Sequence, residues 1–138
     1  MKKITSHKGF TLIELLVVVA IIGILAATIL ASLGSARAKA RFSRAQSEIS
    51  SMRAAAELYY SDHGSYNGTG NPLFSDENSG MKNLVTSVTT AAGGAANTTP
   101  IADDDNWAFS AVFGNDSYCA DSNGYSGKGI ASSTGCAQ

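Results

Sequence analysis

KGFTLIELLVVVAIIGILAATILASL, residues 8–33, sets an uncharged apolar run directly behind a lysine, a glycine and a single carboxylate, Glu14. From Leu15 to Leu33 there are 19 residues without a charge. At 1.5 Å per helical residue they span about 28 Å, close to the hydrocarbon thickness of a bilayer. The run therefore reads as a transmembrane helix. An ionised Glu at that depth costs at least about 2.5 kcal/mol and calls for a cationic partner or a functional reason. No Lys or Arg lies within the run to supply one. A cleavable secretory signal has a basic start too, but its apolar core is about 7 to 15 residues, shorter than this one. A plain signal anchor fits the length and gives no reason for Gly9-Phe10 followed by Glu14.

The string KGFTLIELLVVVAIIGILAA resembles the processing site and helix start of type IV prepilins and related pseudopilins. The resemblance runs from Lys8 to Tyr66 and loses specificity after Leu33. It implies that a prepilin peptidase cuts between Gly9 and Phe10 on the cytoplasmic side, releasing residues 1–9, and that the new amino group of Phe10 is N-methylated by the same peptidase/N-methylase. It also implies an assembly role for Glu14, whose carboxylate pairs with the terminal amine of a neighbouring subunit. Such pairing is what makes a buried charge tolerable. The implied partners are that enzyme, identical or related pilin subunits in a homopolymeric helical filament, a pilus assembly platform with its ATPase, and membrane lipid before assembly. Many family members carry a proline in the outer part of the membrane segment; this chain has Ala31 near that place, with Gly23 and Gly34 as weak points.

Charge is distributed in the same sense. Residues 1–60 hold eight basic groups against three acidic, a net +5, and residues 61–138 hold two against eight, a net −6. The overall −1 thus hides a basic stem and an acidic head suited to stacking head on stem, while the basic cluster behind Leu33 also suits lipid headgroups. Without the leader the chain carries −4. Basic residues flank both ends of the apolar run, so the positive-inside rule does not orient it. The short leader and two cysteines far downstream, in an oxidising compartment, favour a cytoplasmic amino end. The expected location is the cytoplasmic (inner) membrane as a single-pass precursor, then the cell surface as a pilus.

Behind the membrane run, Phe42, Ala45, Ile49, Met52, Ala56 and Tyr59 recur at steps of three and four, away from Arg37, Arg41, Arg44 and Glu48. That periodicity predicts an amphipathic helix over residues 34–63, continuous with residues 10–33, ended by Gly64 and lying against a head of residues 64–138. Arg44 with Glu48 and Arg53 with Glu57 are i,i+4 pairs. The segment Tyr59 to Tyr66 resembles the helix-to-loop junction of pilins and pseudopilins, and His63 reads as a helix-end residue rather than a metal ligand.

In the head, Met81, Leu84, Val85 and Val88 suit a short helix or a strand, and residues 91–97 read as an exposed low-complexity loop. Trp107, Phe109, Ala111 and Phe113 alternate with smaller residues, which predicts a strand laying an aromatic face on the helix. A second strand over 118–121, a turn at Asn123-Gly124 and a return strand over about 125–131 complete a small antiparallel sheet. Its core is thin, and Cys119 and Cys136 compensate as a disulfide, the one pairing two cysteines allow. A disulfide-bounded carboxyl-terminal region resembles the variable loop of many type IV pilins. The fold class expected is α+β and pilin-like, one long helix on a small antiparallel sheet.

Chemistry beyond assembly is weakly supported. Asp103, Asp104 and Asp105 suggest calcium, which some major pseudopilins hold in a loop, but their spacing does not match an EF-hand and suits a solvated turn. Asn67, Asn97 and Asn115 open glycosylation triplets expected by chance in so Asn- and Ser/Thr-rich a chain. No Ser/His/Asp set or phosphate-binding loop can be assembled, so no enzyme activity and no cofactor is expected. Two other functions share the amino end: a type II secretion pseudopilin, and a minor pilin for DNA uptake. Nucleic acid is disfavoured as a partner by the −6 carried over residues 61–138.

Overall fold

The computed structural model describes residues 9–67, 72–133 and 135–138. The chain forms two compact units, one ending at Ala38 and one spanning Lys39–Gln138. Helix α1 (Leu12–His63) belongs to both. Its stretch in the first unit exposes every apolar side chain, whereas in the second Ala45, Ile49, Met52, Ala55, Ala56 and Tyr59 are buried along one stripe. The change in burial follows the change in sequence from uniformly apolar to a stripe of period 3.6. Gly64 ends α1 at φ 72, with its N–H donating to the Tyr60 carbonyl at 2.7 Å. That left-handed conformation favours glycine.

The second unit continues through a 3-10 turn (Leu73–Ser75) into helix α2 (Met81–Ala92), which settles the choice left open between helix and strand. Threonine and valine have modest helix propensity. What holds α2 is its buried side, Met81 and Val88, and a glycine stop: at Gly93 (φ 92) the chain turns left-handed, and the N–H of Gly94 reaches the Thr89 carbonyl at 2.9 Å. Residues 91–97 are therefore not one loop. They comprise the last turn of α2, the stop, and a 3-10 turn (Ala95–Asn97) whose Asn97 amide donates to the Ala92 carbonyl at 2.7 Å.

An antiparallel sheet follows in the order β1 (Thr98–Ala102), β2 (Trp107–Phe113), β3 (Asp116–Asp121), β4 (Ser126–Gly127). In register, Pro100 lies opposite Phe109, Phe109 opposite Ala120 and Ser110 opposite Cys119. One face carries Trp107, Phe109 and Ala111 into the core with the α1 stripe, Leu73, Met81 and Val88. Phe113 meets Phe42 edge-on, ring centroids 5.3 Å apart. The predicted return strand is divided: β4 pairs with β3, while β5 (Ile130–Ser132) pairs with β6 (Gly135–Ala137) as a separate hairpin. That hairpin covers the other face, where Ala108, Cys119 and Ala131 form a second small cluster. A sheet covered on both faces explains why Ala108 and Ser110, which alternation assigns to the solvent side, are buried.

Candidate functional site

Gly9 and Phe10 are exposed ahead of α1; Phe10 has 89% of its surface free, and a Cβ built on Gly9 would touch nothing within 4 Å. Thr11 and Glu14 then close the first turn. The backbone N–H and the hydroxyl of Thr11 both donate to Glu14 Oε2 at 2.8 Å, and the Glu14 N–H donates back to Thr11 Oγ1 at 3.2 Å. This is a reciprocal capping box, Thr-x-x-Glu, satisfying donors that a helix start otherwise leaves open. Sequence reasoning assigned Glu14 and passed over Thr11, although the spacing of the two was the available signal.

Glu14 meets no cation among the described residues; its carboxylate is held only by Thr11. Behind it, α1 has one stretch apolar and long enough to cross a membrane, none of it buried within the chain. Its polar side chains are satisfied locally, Thr28 donating to the Leu25 carbonyl at 2.8 Å and Ser32 to the Thr28 carbonyl at 3.1 Å. Such bonds are what a lipid-facing hydroxyl requires. The helix is unbroken through Gly23, Ala31 and Gly34.

In the second unit, Cys119 and Cys136 are joined as expected, Cα atoms 5.9 Å apart, tying β3 to β6. A second tie lies beside it. Asp121, 3% exposed, accepts the Tyr125 N–H at 3.0 Å and the Cys136 N–H at 2.8 Å. Arg44 pairs with Glu48 at 2.8 Å as predicted. Arg53 and Glu57 do not pair: Arg53 donates to the Tyr125 carbonyl at 2.9 Å, and Glu57 accepts the Tyr66 hydroxyl at 2.9 Å. Each is better served by a tertiary contact than by an exposed helix pair worth a few tenths of a kcal/mol. Burial, then the Glu57 carboxylate, pushes the Tyr66 phenol up to about 12.

His63 stacks on Tyr59 with ring centroids 4.1 Å apart, and its Nδ1 lies 3.0 Å from the Tyr59 carbonyl. Asp103 turns its loop, Oδ1 accepting the N–H groups of Asp105 (3.1 Å) and Asn106 (2.7 Å). Asp103, Asp104 and Asp105 are exposed, and among the described residues no three His, Cys, Asp or Glu side chains gather in a metal-binding group. Asn67 and Asn115 are exposed, while the Asn97 amide is engaged at the end of α2.

Residues 4–30 match the family model described as the prokaryotic N-terminal methylation motif. In this amino-terminal segment the chain is similar to type IV pilins. A fimbrial protein of Pseudomonas aeruginosa is 52% identical over 52 residues, covering 38% of this chain and 34% of that protein. A fimbrial protein of Neisseria meningitidis serogroup B is 44% identical over 64 residues, 46% of this chain and 38% of the relative. The type IV major pilin protein PilE1 of Neisseria gonorrhoeae is 44% identical over 62 residues, 45% and 38%. The pilin likeness thus spans little more than a third of each of these relatives. No solved structure matches the chain.

Proposed function

We propose that this chain is a type IV prepilin: a structural subunit, without catalysis of its own, held in the cytoplasmic membrane by residues 10–33 with its amino end in the cytoplasm. Cleavage after Gly9 and N-methylation of Phe10 by the prepilin peptidase release it for assembly through α1 into a helical surface filament, on an assembly platform driven by an ATPase. Residues 1–9 are then the leader, residues 34–63 the stem that carries the head, and residues 64–138 the head. The observation that carries this reading is a membrane-length apolar helix, bare along its first part, that opens with the methylation motif and one carboxylate lacking a cation. Glu14 supplies the acceptor for the Phe10 amine of a neighbouring subunit, and the packed filament supplies the apolar surroundings. The names of the relatives, fimbrial protein and type IV major pilin, support the pilus over the secretion pseudopilus.

Mass analysis of filaments sheared from cells tests it: the expected subunit begins at methylated Phe10. Sheared filaments lacking the chain, with protein secretion dependent on it, would sink the pilus reading in favour of the pseudopilus. Glu14→Gln separates the two roles of the carboxylate. The amide oxygen still caps Thr11 but carries no charge, so cleavage should persist while filaments disappear; normal filaments would remove the pairing.

A further inference from the structure

The second unit is electrically polarised along its own length, and the polarity is fixed by contacts. Strand β2 runs antiparallel to α1: Phe113, at its end, meets Phe42, and Trp107, at its start, follows the loop that holds Asp103, Asp104 and Asp105. That loop sits at the far end of α1, where the Tyr66 N–H donates to the Asp104 carbonyl at 3.2 Å and the Tyr66 hydroxyl reaches Glu57. From Arg41 to Glu57 is about 24 Å along the helix at 1.5 Å per residue. The acidic loop and the basic end of the same head are therefore out of each other's reach.

At the Phe42 end a groove of about 660 Å³ opens between α1 and α2, lined by Arg41, Arg44, Asn83, Thr86, Ser87 and Thr90. Arg44 is held at its edge, donating to Glu48 at 2.8 Å and to Ser87 at 3.2 Å, and this pairing offsets the Glu48 charge. Arg41 is exposed and meets no carboxylate among the described residues, which leaves the groove one net positive charge beside amide and hydroxyl donors. Asp116, the acid that opens β3 opposite Phe113, is paired with Lys128 at 3.5 Å. At the other end, Asp103 Oδ1 is engaged in the turn, and Asp104 and Asp105 stand exposed without a cation among the described residues.

We propose that the α1–α2 groove receives the Asp103–Asp105 loop of a second copy of this chain, Arg41 pairing with its Asp104. The contact joins two different patches of one molecule, so it is heterologous and repeats without closing, the geometry that generates a filament rather than a dimer. It rests on the filament reading above and adds to it the head contact that orders successive subunits. The same donors suit an anionic lipid headgroup; the exposed Asp104 and Asp105, without a cation among the described residues and at the end their own groove cannot reach, favour the second copy.

Charge reversal in the full chain, expressed in cells and read as sheared-filament yield and as filament stability against added salt, tests the contact. Arg41→Glu and Asp104→Arg are both on exposed side chains, and each should weaken association about fivefold, the scale of an exposed ion pair. The double reversal should restore wild-type yield. Wild-type filaments should also shorten as salt rises past about 0.15 M, where screening lengths fall below about 8 Å. Wild-type filaments with single variants indistinguishable from them, or a double reversal no better than the singles, overturns the contact and leaves the filament reading standing. Arg41→Glu instead weakening retention of the precursor on anionic vesicles, with no filament defect, assigns the groove to lipid and also overturns it. Absence of the chain from wild-type filaments overturns both.

Discussion

Tyr66 shows how one side chain closes the far end of the helix. Its ring lies against Tyr60 with centroids 4.8 Å apart, its hydroxyl donates to Glu57, and its backbone N–H holds the acidic loop. A phenol displaced from 10.0 to about 12 is a group whose neutral form is favoured by folding. Its contribution is complete below about pH 10, where the unfolded phenol is also neutral, and is lost as pH rises through about 12. Thermal melts of wild type and Tyr66→Phe should therefore differ by a constant amount from pH 7 to 9 and converge between about pH 10 and 12. A difference that stays constant through the alkaline range removes this account. That Tyr59 to Tyr66 forms a helix-to-loop junction was legible from its resemblance to that of pilins and pseudopilins. The partner of Glu57 was not, since local spacing offered Arg53 and only tertiary placement brought Tyr66 within reach.

Among elements, the β5–β6 hairpin depends on two ties that meet at Cys136, the disulfide to Cys119 and the N–H bond to Asp121. Closing a loop of 17 residues stabilises by about 3 kcal/mol in the chain-entropy model. Cys136→Ser should lower the melting temperature of the head by about 10 to 20 °C. Asp121→Ala, which strands two part-buried N–H groups, should cost about 1 to 3 kcal/mol with the disulfide intact. The two losses should combine to less than their sum, because a hairpin freed by one leaves less for the other to hold; strict additivity in melts of the four proteins would refute a shared load. The disulfide was visible from the cysteine count, and the aromatic strand β2 from its alternation. Strand β1 was not, because Thr98-Thr-Pro-Ile-Ala102 follows a low-complexity stretch and carries a proline tolerated only at a sheet edge. Its existence is owed to its register with β2. The split of the return strand escaped for a similar reason: Gly127 and Gly129 carry no side-chain pattern, and the division is set by which face of the sheet each half covers.

For the whole molecule, the difference between the two units is one of solvent. The unit from Lys39 buries its apolar stripe within the chain, whereas the described apolar side chains of the unit ending at Ala38 are all exposed. The precursor should thus remain in the membrane pellet after alkaline carbonate extraction, and its release by carbonate would show that the run does not span. This much was plain in residues 8–33, because hydrophobicity without period is a statement about surroundings rather than about internal packing. What residues alone withheld was the polarity of the head, since the arginines of α1 and the aspartates between β1 and β2 take opposite ends only once β2 lies antiparallel to the helix.

The capping box at the start of α1 bears on reversibility. Thr11 already occupies the Glu14 carboxylate with its own hydroxyl and amide, so in the assembly proposed above docking of a neighbour's amine would be an exchange of partners rather than the rescue of a bare charge. Under the proposed assembly the same exchange would run backward: a subunit leaving its neighbours would return its carboxylate to Thr11 within one turn of its own helix, so that neither direction passes through a bare charge.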